Sequence, residues 1–210
     1  MSAFPESLIP VRGGFVFVDP ALGTVRKTIP FQYNPDTLTR TLTPQGIGKE
    51  PGDRLEALRL KGPAHESFKF DAEFDATAEP DKYPDGLYPV LSALELSMYP
   101  TVAALQYENA LAGAGVLEVA PAESPLTVLV LGPKRVVPVQ ITEFSVVEEF
   151  FDQALDPVRA KVSVGVRVLT VDDLGHTHHG GVLYLTYQGR KEAFAQAVSN
   201  PISSLGTPRV

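Results

Sequence analysis

The chain has 210 residues, of which 44% are hydrophobic, and this size and composition suit one generous domain, or a domain with an appendage, that buries a full core. It contains no cysteine, which excludes a disulfide framework and thiolate metal sites. Because it also lacks a long apolar run and a leader, we expect a soluble, cytoplasmic protein without direct membrane insertion. A net charge of −7, with 18 scattered Lys and Arg residues, argues against nucleic acid as a partner.

Turn-forming residues divide the chain at short intervals and predict a fold that is mainly β. The 19 prolines and 17 glycines are spread along the sequence, as many short strands joined by turns require. Strands predicted at 15–18 and 25–31 flank a turn at 19–23 and form a hairpin. Asn34 and Pro35 then predict an extended residue followed by a turn, and residues 38–42 alternate as the next strand.

The middle of the chain contains an irregular stretch, two strands and one clear helix. Residues 43–65 are interrupted by Pro and Gly, and a loop of that length is usually functional or ordered by a partner. Between 68 and 75, Phe and Ala alternate with charged residues, which indicates a strand with one aromatic and one mostly acidic face. Residues 87–98 carry Leu, Val and Met at helical spacing and predict a helix. Residues 101–124 fit a second helical turn with a linker, and 126–131 is an apolar run of strand length.

The longest regular pattern is a strand pair at 136–169, joined by an acidic and aromatic turn at 148–157. Its return arm alternates strictly between apolar and polar residues. The apolar side consists of Val158, Ala160, Val162, Val164, Val166 and Val168. A period of two is typical of a half-buried strand, so we expect this face to anchor the core.

Beyond Thr170 the pattern fades. A loop rich in Gly and His is followed by an apolar piece at 182–187, a short helix candidate at 190–198 and a tail of Pro, Ser and Gly. We therefore divide the chain into a β domain at 1–170 and a C-terminal extension at 171–210.

A histidine cluster raises the question of a metal site. His176, His178 and His179 follow Asp172 and Asp173, and imidazole with carboxylate suits Zn or Ni. The glycines around the cluster predict a solvated turn without fixed geometry, so we expect no metal and no cofactor. A metal-dependent enzyme or binding protein that uses these histidines remains the alternative from another functional class.

Acidic residues could also supply a general acid and base. Asp71, Glu73 and Asp75, together with Glu148 and Glu149, are the candidates. The strand acids alternate with aromatic residues on the outward face, which is typical of a solvated or interfacial surface. We therefore expect no enzymatic activity.

The aromatic pair Phe150-Phe151 lies beside Glu148 and Glu149 in the predicted turn. Large apolar side chains at a hairpin tip cannot all reach the core of their own chain. An exposed apolar patch surrounded by acids usually marks a partner surface, so this interpretation is favoured over local packing.

Three motifs together resemble the tube-like proteins of contractile injection systems, which are machines derived from phage tails. The first is Phe31-Gln32-Tyr33-Asn34-Pro35, similar to the opening of that family. The second is Leu60-Lys61-Gly62 followed by the strand that ends in Phe74-Asp75-Ala76-Thr77. The third and strongest runs from Asp156-Pro157-Val158-Arg159-Ala160-Lys161 to Val164 and resembles the return arm of the family's hairpin. Their order and spacing agree over about residues 25–170.

The resemblance implies a tube-type fold, in which two packed antiparallel sheets form a barrel or sandwich with one flanking α-helix and a long β-hairpin. It implies a hexameric ring, the tube initiator or adaptor, that joins the baseplate hub and spike to the inner tube and has possible contacts to sheath and baseplate wedge proteins. Such a ring belongs to a phage tail-like particle that can be released from the cell. Many relatives also carry a LysM module, for which residues 171–210 are too short.

The resemblance and the residue pattern together give candidate contact residues between subunits and rings. These are Tyr33, Asn34, Pro35, Glu148, Glu149, Phe150, Phe151, Asp156 and Arg159. We expect the 43–65 loop and the hairpin to reach adjacent subunits and the tip at 145–157 to contact the next ring. The alternative within the same particle is a main inner tube subunit or a cap-proximal ring.

Overall fold

The computed structural model describes residues 11–46, 59–77, 80–114 and 124–198. It confirms a fold that is mainly β. The strands are β1 (Gly14–Val18), β2 (Val25–Pro30), β3 (Leu38–Thr43), β4 (His65–Asp75), β5 (Leu126–Val130), β6 (Val136–Phe151) and β7 (Pro157–Val168). The helices are α1 (Tyr88–Glu95), α2 (Val102–Gly113), α3 (Val171–Leu174) and α4 (His179–Gln196), with a 3-10 turn at Pro80–Lys82.

The strands form a single antiparallel sheet, whereas the resemblance implied two packed sheets. The order is β2-β1-β5-β6-β7-β4-β3, so β2 and β3 are the two edges. The sheet is not closed, and the part of the chain that the structure describes contains no second sheet. Alternation along each strand gives the faces of one sheet correctly, but it does not reveal whether successive strands join the same sheet.

The sheet is strongly curled. The evidence is that side chains from distant strands meet on one of its faces. Phe15 on β1 and Phe70 on β4 lie four strands apart in the order, which corresponds to about 19 Å in a flat sheet with strands about 4.8 Å apart. Their ring centroids are only 6.2 Å apart, and Phe31 contacts both rings at 5.5 Å. The concave face therefore encloses the main core.

The predicted alternation of β4 and β7 is confirmed. Phe68, Phe70, Ala72 and Phe74 are buried, and so are Ala160, Val162, Val164, Val166 and Val168, while Val158 packs against them partly exposed. In the β4–β7 register these two sets are paired, for example Phe70 with Val164. Helix α1 adds Leu87, Leu91 and Leu94 to the same core, as its spacing predicted, with proline tolerated in its first turn.

The C-terminal region differs from the expectation. The apolar piece at 182–187 and the helix candidate at 190–198 are parts of one 18-residue helix, α4. This helix packs against β6, and its Tyr184 and Tyr187 belong to the main core cluster. Together with α1, α2 and α3 it gives four helices in the described residues, where the resemblance implied one. The division of the chain at residue 170 stays a prediction.

A buried carboxylate fastens α4 to the sheet. Glu66 on β4 is 3% exposed and lies on the same face as the core phenylalanines. The Tyr187 hydroxyl donates to it at 2.8 Å, and Lys191 and the edge-strand residue Arg40 form ion pairs with it at 2.6 and 2.9 Å. Burial, and next the bond to Glu66, raise the pKa of Tyr187, so its hydroxyl keeps its proton and remains a donor.

Two other predicted segments are only partly described. Most of the 43–65 loop lies outside the described residues, apart from a bridge between Gly46 and Leu60. The Ala-rich stretch after Pro100 contains the three-turn helix α2, which begins at the capping residue Thr101 and buries none of its side chains.

Truncating a core ring should destabilise the fold strongly. Phe68 is fully buried, so Phe68→Ala is expected to lower the free energy of unfolding by about 3–5 kcal/mol, through lost burial and the cavity left behind. Urea unfolding measures this change. The matched control Phe151→Ala, at a ring that is 50% exposed, should change it by less than about 0.5 kcal/mol. Similar losses in both variants would contradict the burial described here.

Removing one hydroxyl should test the link between α4 and β4. Tyr187→Phe leaves the ring in place but deletes a hydrogen bond to a charged acceptor, which is expected to cost about 1.5–3 kcal/mol of unfolding free energy. Tyr107→Phe, on the exposed helix α2, is the matched control and should cost less than about 0.5 kcal/mol. Equal unfolding midpoints for the two variants in urea would argue against the link.

Candidate functional site

The β6–β7 hairpin carries most of the residues that the sequence singled out. Strand β6 extends to Phe151 and β7 begins at Pro157, so the turn is shorter than the predicted 148–157. We call residues 148–156 the hairpin tip. Asp152 organises it, because its carboxylate accepts from the amides of Ala154 at 2.8 Å and Asp156 at 2.9 Å. Its backbone amide also donates to the carbonyl of Asp156, which closes the loop.

The hairpin tip exposes apolar side chains in a strained backbone. Phe150 and Phe151 are 66% and 50% exposed, and Leu155 is 72% exposed. Phe150 has φ 52° and Leu155 has φ 67°, a left-handed conformation that is unfavourable for bulky residues. Such strain costs on the order of 1–3 kcal/mol per residue and is concentrated at functional segments.

A β-bulge changes which residues of β6 face the core. Ile141 pairs with Val166 and Glu143 with Gly165, so the residue between them has no partner and the alternation of faces is reset. Beyond the bulge, Val146 faces the core and is partly buried, whereas Val147 is 54% exposed. The sequence pattern of β6 alone did not reveal this change of face.

The outward face of β4 and β7 is a row of ion pairs. Lys161 lies 2.9 Å from Asp71, Arg159 lies 3.6 Å from Asp75, and Lys69 on β4 reaches Glu143 on β6 at 2.7 Å. Exposed pairs of this kind contribute little to stability, because water and salt screen the attraction. Arg159, a predicted contact residue, therefore serves the structure of its own chain, and its register partner on β6 is Glu149.

The electrostatics of this face do not favour acid–base chemistry. The hydrogen bonds from Lys161 and then Ser163 lower the pKa of Asp71, and those from Thr77 lower the pKa of Asp75. A general acid needs a carboxyl pKa raised toward the working pH, which is the opposite direction. The alternation predicted for these residues is confirmed, and their charges are largely compensated by β7.

The predicted contact residues Tyr33, Asn34 and Pro35 lie far along the chain from the hairpin, in the link that joins the two edge strands. Asn34 accepts from the amide of Gly13 at 2.8 Å and donates to the carbonyl of Val11 at 2.9 Å, so it fastens this link to the segment before β1. Tyr33 is 55% exposed.

The neighbouring Gln32 exchanges two hydrogen bonds with the backbone of Asp75, at 2.6 and 2.7 Å. Because Gln32 follows edge strand β2 and Asp75 ends β4, this exchange spans the seam of the curled sheet. A polar residue directly after a strand was the sequence signal for it, but its partner could not be inferred.

The histidines do not converge. His178 caps α4, where its Nδ1 accepts from the amide of Gly180 at 3.1 Å, and His179 begins that helix. Asp173 forms an ion pair with Arg167 and completes a capping box with Thr170. Among the described residues, no group of three or more His, Cys, Asp or Glu side chains could hold a metal ion.

Two features of the molecule did not follow from the sequence pattern, which predicted only a helical turn after residue 101. One is α2, on which Val102, Leu105 and Tyr107 are 50–69% exposed. The other is the environment of Glu66, for which the signal was present, since this acid has the same parity as Phe68 and Phe70 on β4. None of the described helices has both the length and the apolar character needed to cross a bilayer.

Comparison with known proteins gives no family for this chain. No protein-family model matches it, and no curated protein matches it.

The Asp71–Lys161 pair should make stability depend on pH at both ends of the range. A lowered pKa of Asp71 contributes stability that is present above the unfolded value of about 3.9 and lost as the pH falls below it. The raised pKa of Lys161, caused first by its hydrogen bond to Asp71, contributes stability that is present below about 10.4 and lost as the pH rises. Asp71→Asn should therefore weaken both dependences.

Urea unfolding from pH 2.5 to 11 measures this effect. The matched control is a double-mutant cycle with Lys161→Gln. In the Lys161→Gln background, Asp71→Asn should change the free energy of unfolding much less, because the main partner of Asp71 is gone. An unchanged acid dependence in Asp71→Asn alone would show that the ion pair does not form in solution.

Proposed function

We propose that the chain is a non-enzymatic structural subunit of a contractile injection system. In this proposal it forms the hexameric ring that joins the baseplate hub and spike to the inner tube. The observation that carries the proposal is the hairpin tip, which offers two exposed phenyl rings and four acids at the end of a long, well-paired hairpin. A rigid arm that ends in an apolar patch is typical of a partner surface.

The resemblance motifs coincide with the elements that shape the molecule, which supports the proposal. The motif at 31–35 forms the link that spans the seam of the sheet, the motif at 60–77 leads through β4, and the motif at 156–164 begins β7. Motifs of one family would be expected at such positions. The position of the ring and the partners in the particle rest on the resemblance alone.

The two open sheet edges provide a second reason to expect assembly. Strand β2 pairs only with β1, and β3 pairs only with β4, so each has one unpaired side in the described structure. Edge strands that remain uncovered favour pairing with another chain, and head-to-tail contacts form a ring when the rotation closes. Neighbouring copies would then complete the barrel-like, two-layered arrangement that the resemblance implies. The single open sheet of one copy does not form it alone.

A main inner tube subunit or a cap-proximal ring remains the alternative within the same particle. The two positions differ in copy number, because a single ring implies six copies per particle and a tube many times more. The metal-dependent alternative receives no support from the described histidines, which cap and begin a helix instead of meeting at one point.

Charges placed at the hairpin tip should abolish assembly without unfolding the chain. Phe150→Asp combined with Phe151→Asp is expected to give a folded protein that no longer enters purified particles, because two carboxylates replace the apolar contact. The measurement is the amount of the chain in particles, with circular dichroism and urea unfolding as tests of folding.

The matched control carries the same change on α2, where Leu105 and Tyr107 are 50% and 65% exposed. Leu105→Asp combined with Tyr107→Asp should be incorporated normally. Normal incorporation of the tip variant, or equal loss in both variants, would contradict the role assigned to the tip.

A further inference from the structure

A groove with an apolar floor and a basic rim lies between β2, α1 and the end of β4. Its floor is formed by Ile29, Phe74 and Val90, and its volume is about 400 Å³. Pockets that hold organic ligands or side chains measure about 300–1,000 Å³, so an aromatic side chain with its neighbours fits this space. We call this feature the basic groove.

The rim of the basic groove carries positive charge in a chain with a net charge of −7. Arg12, Lys27 and Lys82 line it, and the lining residues that the structure describes include no Asp or Glu. Arg12 and Lys27 form no ion pair with the described residues, and the Lys82 ammonium lies 5.7 Å from the centre of the Tyr83 ring. A concave site lined by one sign of charge attracts the opposite sign, so the expected occupant is acidic as well as apolar.

The hairpin tip has the complementary chemistry. Phe150 and Phe151 supply two rings, each of which can bury about 150–250 Å². Glu148, Glu149 and Asp152 supply the negative charge, and neither glutamate forms an ion pair with the described residues. The tip therefore lacks the two things that the basic groove offers, an apolar floor and cationic partners.

The tip does not occupy the basic groove of its own chain. Phe150 is 66% exposed and Phe151 is 50% exposed, and the hairpin that carries them is held by the pairing of β6 with β7, which one bulge interrupts. The backbone amide of Leu87 also donates to the carbonyl of Pro157 at 2.8 Å, which fixes the base of the tip to the start of α1. A second copy of the chain is the source of an occupant with matching chemistry.

We propose that the basic groove of one copy receives the hairpin tip of the next copy in the same ring, instead of the contact between tip and next ring that was expected from the sequence. This contact is heterologous, so each copy offers one tip and one groove and the contacts continue head to tail until the rotation closes. The inference deepens the proposed function and rests on it, in that it assumes that copies of the chain assemble with one another. It names the receiving surface, which neither the resemblance nor the sequence pattern supplied.

The absence of native cysteine makes cross-linking a direct test. One full-length copy carries Ala154→Cys in the tip and the other carries Thr28→Cys in the groove, with both phenyl rings kept. Mixing and oxidation should give a disulfide-linked pair that disappears with reductant, since a disulfide requires Cα atoms within about 7 Å. Ala93→Cys, on the α1 wall of the groove, is the second acceptor position. Thr186→Cys, exposed on α4, is the matched control and should give no such pair.

A charge exchange tests the same contact by a different property. Lys27→Glu and Glu148→Lys should each weaken assembly about fivefold in sedimentation velocity, the effect of an ion pair worth about 1 kcal/mol. The chain with both substitutions should regain most of the lost affinity, because the reversed charges attract again. Lys134→Glu, which changes an exposed charge outside the groove, should leave assembly unchanged.

The outcomes separate this inference from the proposed function. Rings whose tip cysteine links to either groove position support both, and rings without any such link overturn the groove while leaving the ring. Linked pairs that never close into rings support the groove and overturn the ring. Monomers without a link at the highest soluble concentration overturn both.

Discussion

Contact between Phe15, Phe31 and Phe70 is the constraint on which the rest of the structure depends. These rings come from the two halves of one sheet and from the link between its edges, and they can meet only if the sheet is curled. The curl turns one face inward as an apolar interior, to which α1 and α4 also contribute side chains. It also brings β2 near the end of β4, where Gln32 and Asp75 exchange hydrogen bonds across the seam.

The same curl leaves two sheet edges, a groove and the end of one hairpin at the surface. Within the described part of the chain both edge strands keep an unpaired side, the basic groove opens beside β2, and β6 continues past its bulge as part of an exposed arm. A large core allows the chain to hold two residues of the hairpin tip in unfavourable backbone conformations without unfolding. Stability in one part of the chain thus supports strain in another.

Much of this fold follows from the sequence, and the failures have identifiable causes. Period-two alternation identified β4 and β7 with the correct buried faces, because burial on one side imposes that period directly. It could not show the faces of β6, whose presence as a strand was predicted but where a bulge changes the period. At the start of α4, Gly180 and Gly181 led to the prediction of a loop where the structure has a helix. The exposed rings of the tip were predictable from their acidic neighbours. The single sheet, the partners of Glu66 and the basic groove depend on contacts between distant residues, which no local pattern encodes.

The hydrogen bond between Leu87 and Pro157 has a geometric consequence. It joins α1, one wall of the groove, to the base of the arm, and Gly86 tightens this junction because a side chain there would come within 2.7 Å of the Pro157 carbonyl. The hairpin tip and the basic groove of one copy are thereby parts of one rigid unit with a fixed angle between them. Under the proposed assembly, that angle sets the rotation between neighbouring copies. Contacts inside a single chain would then determine how many copies close a ring.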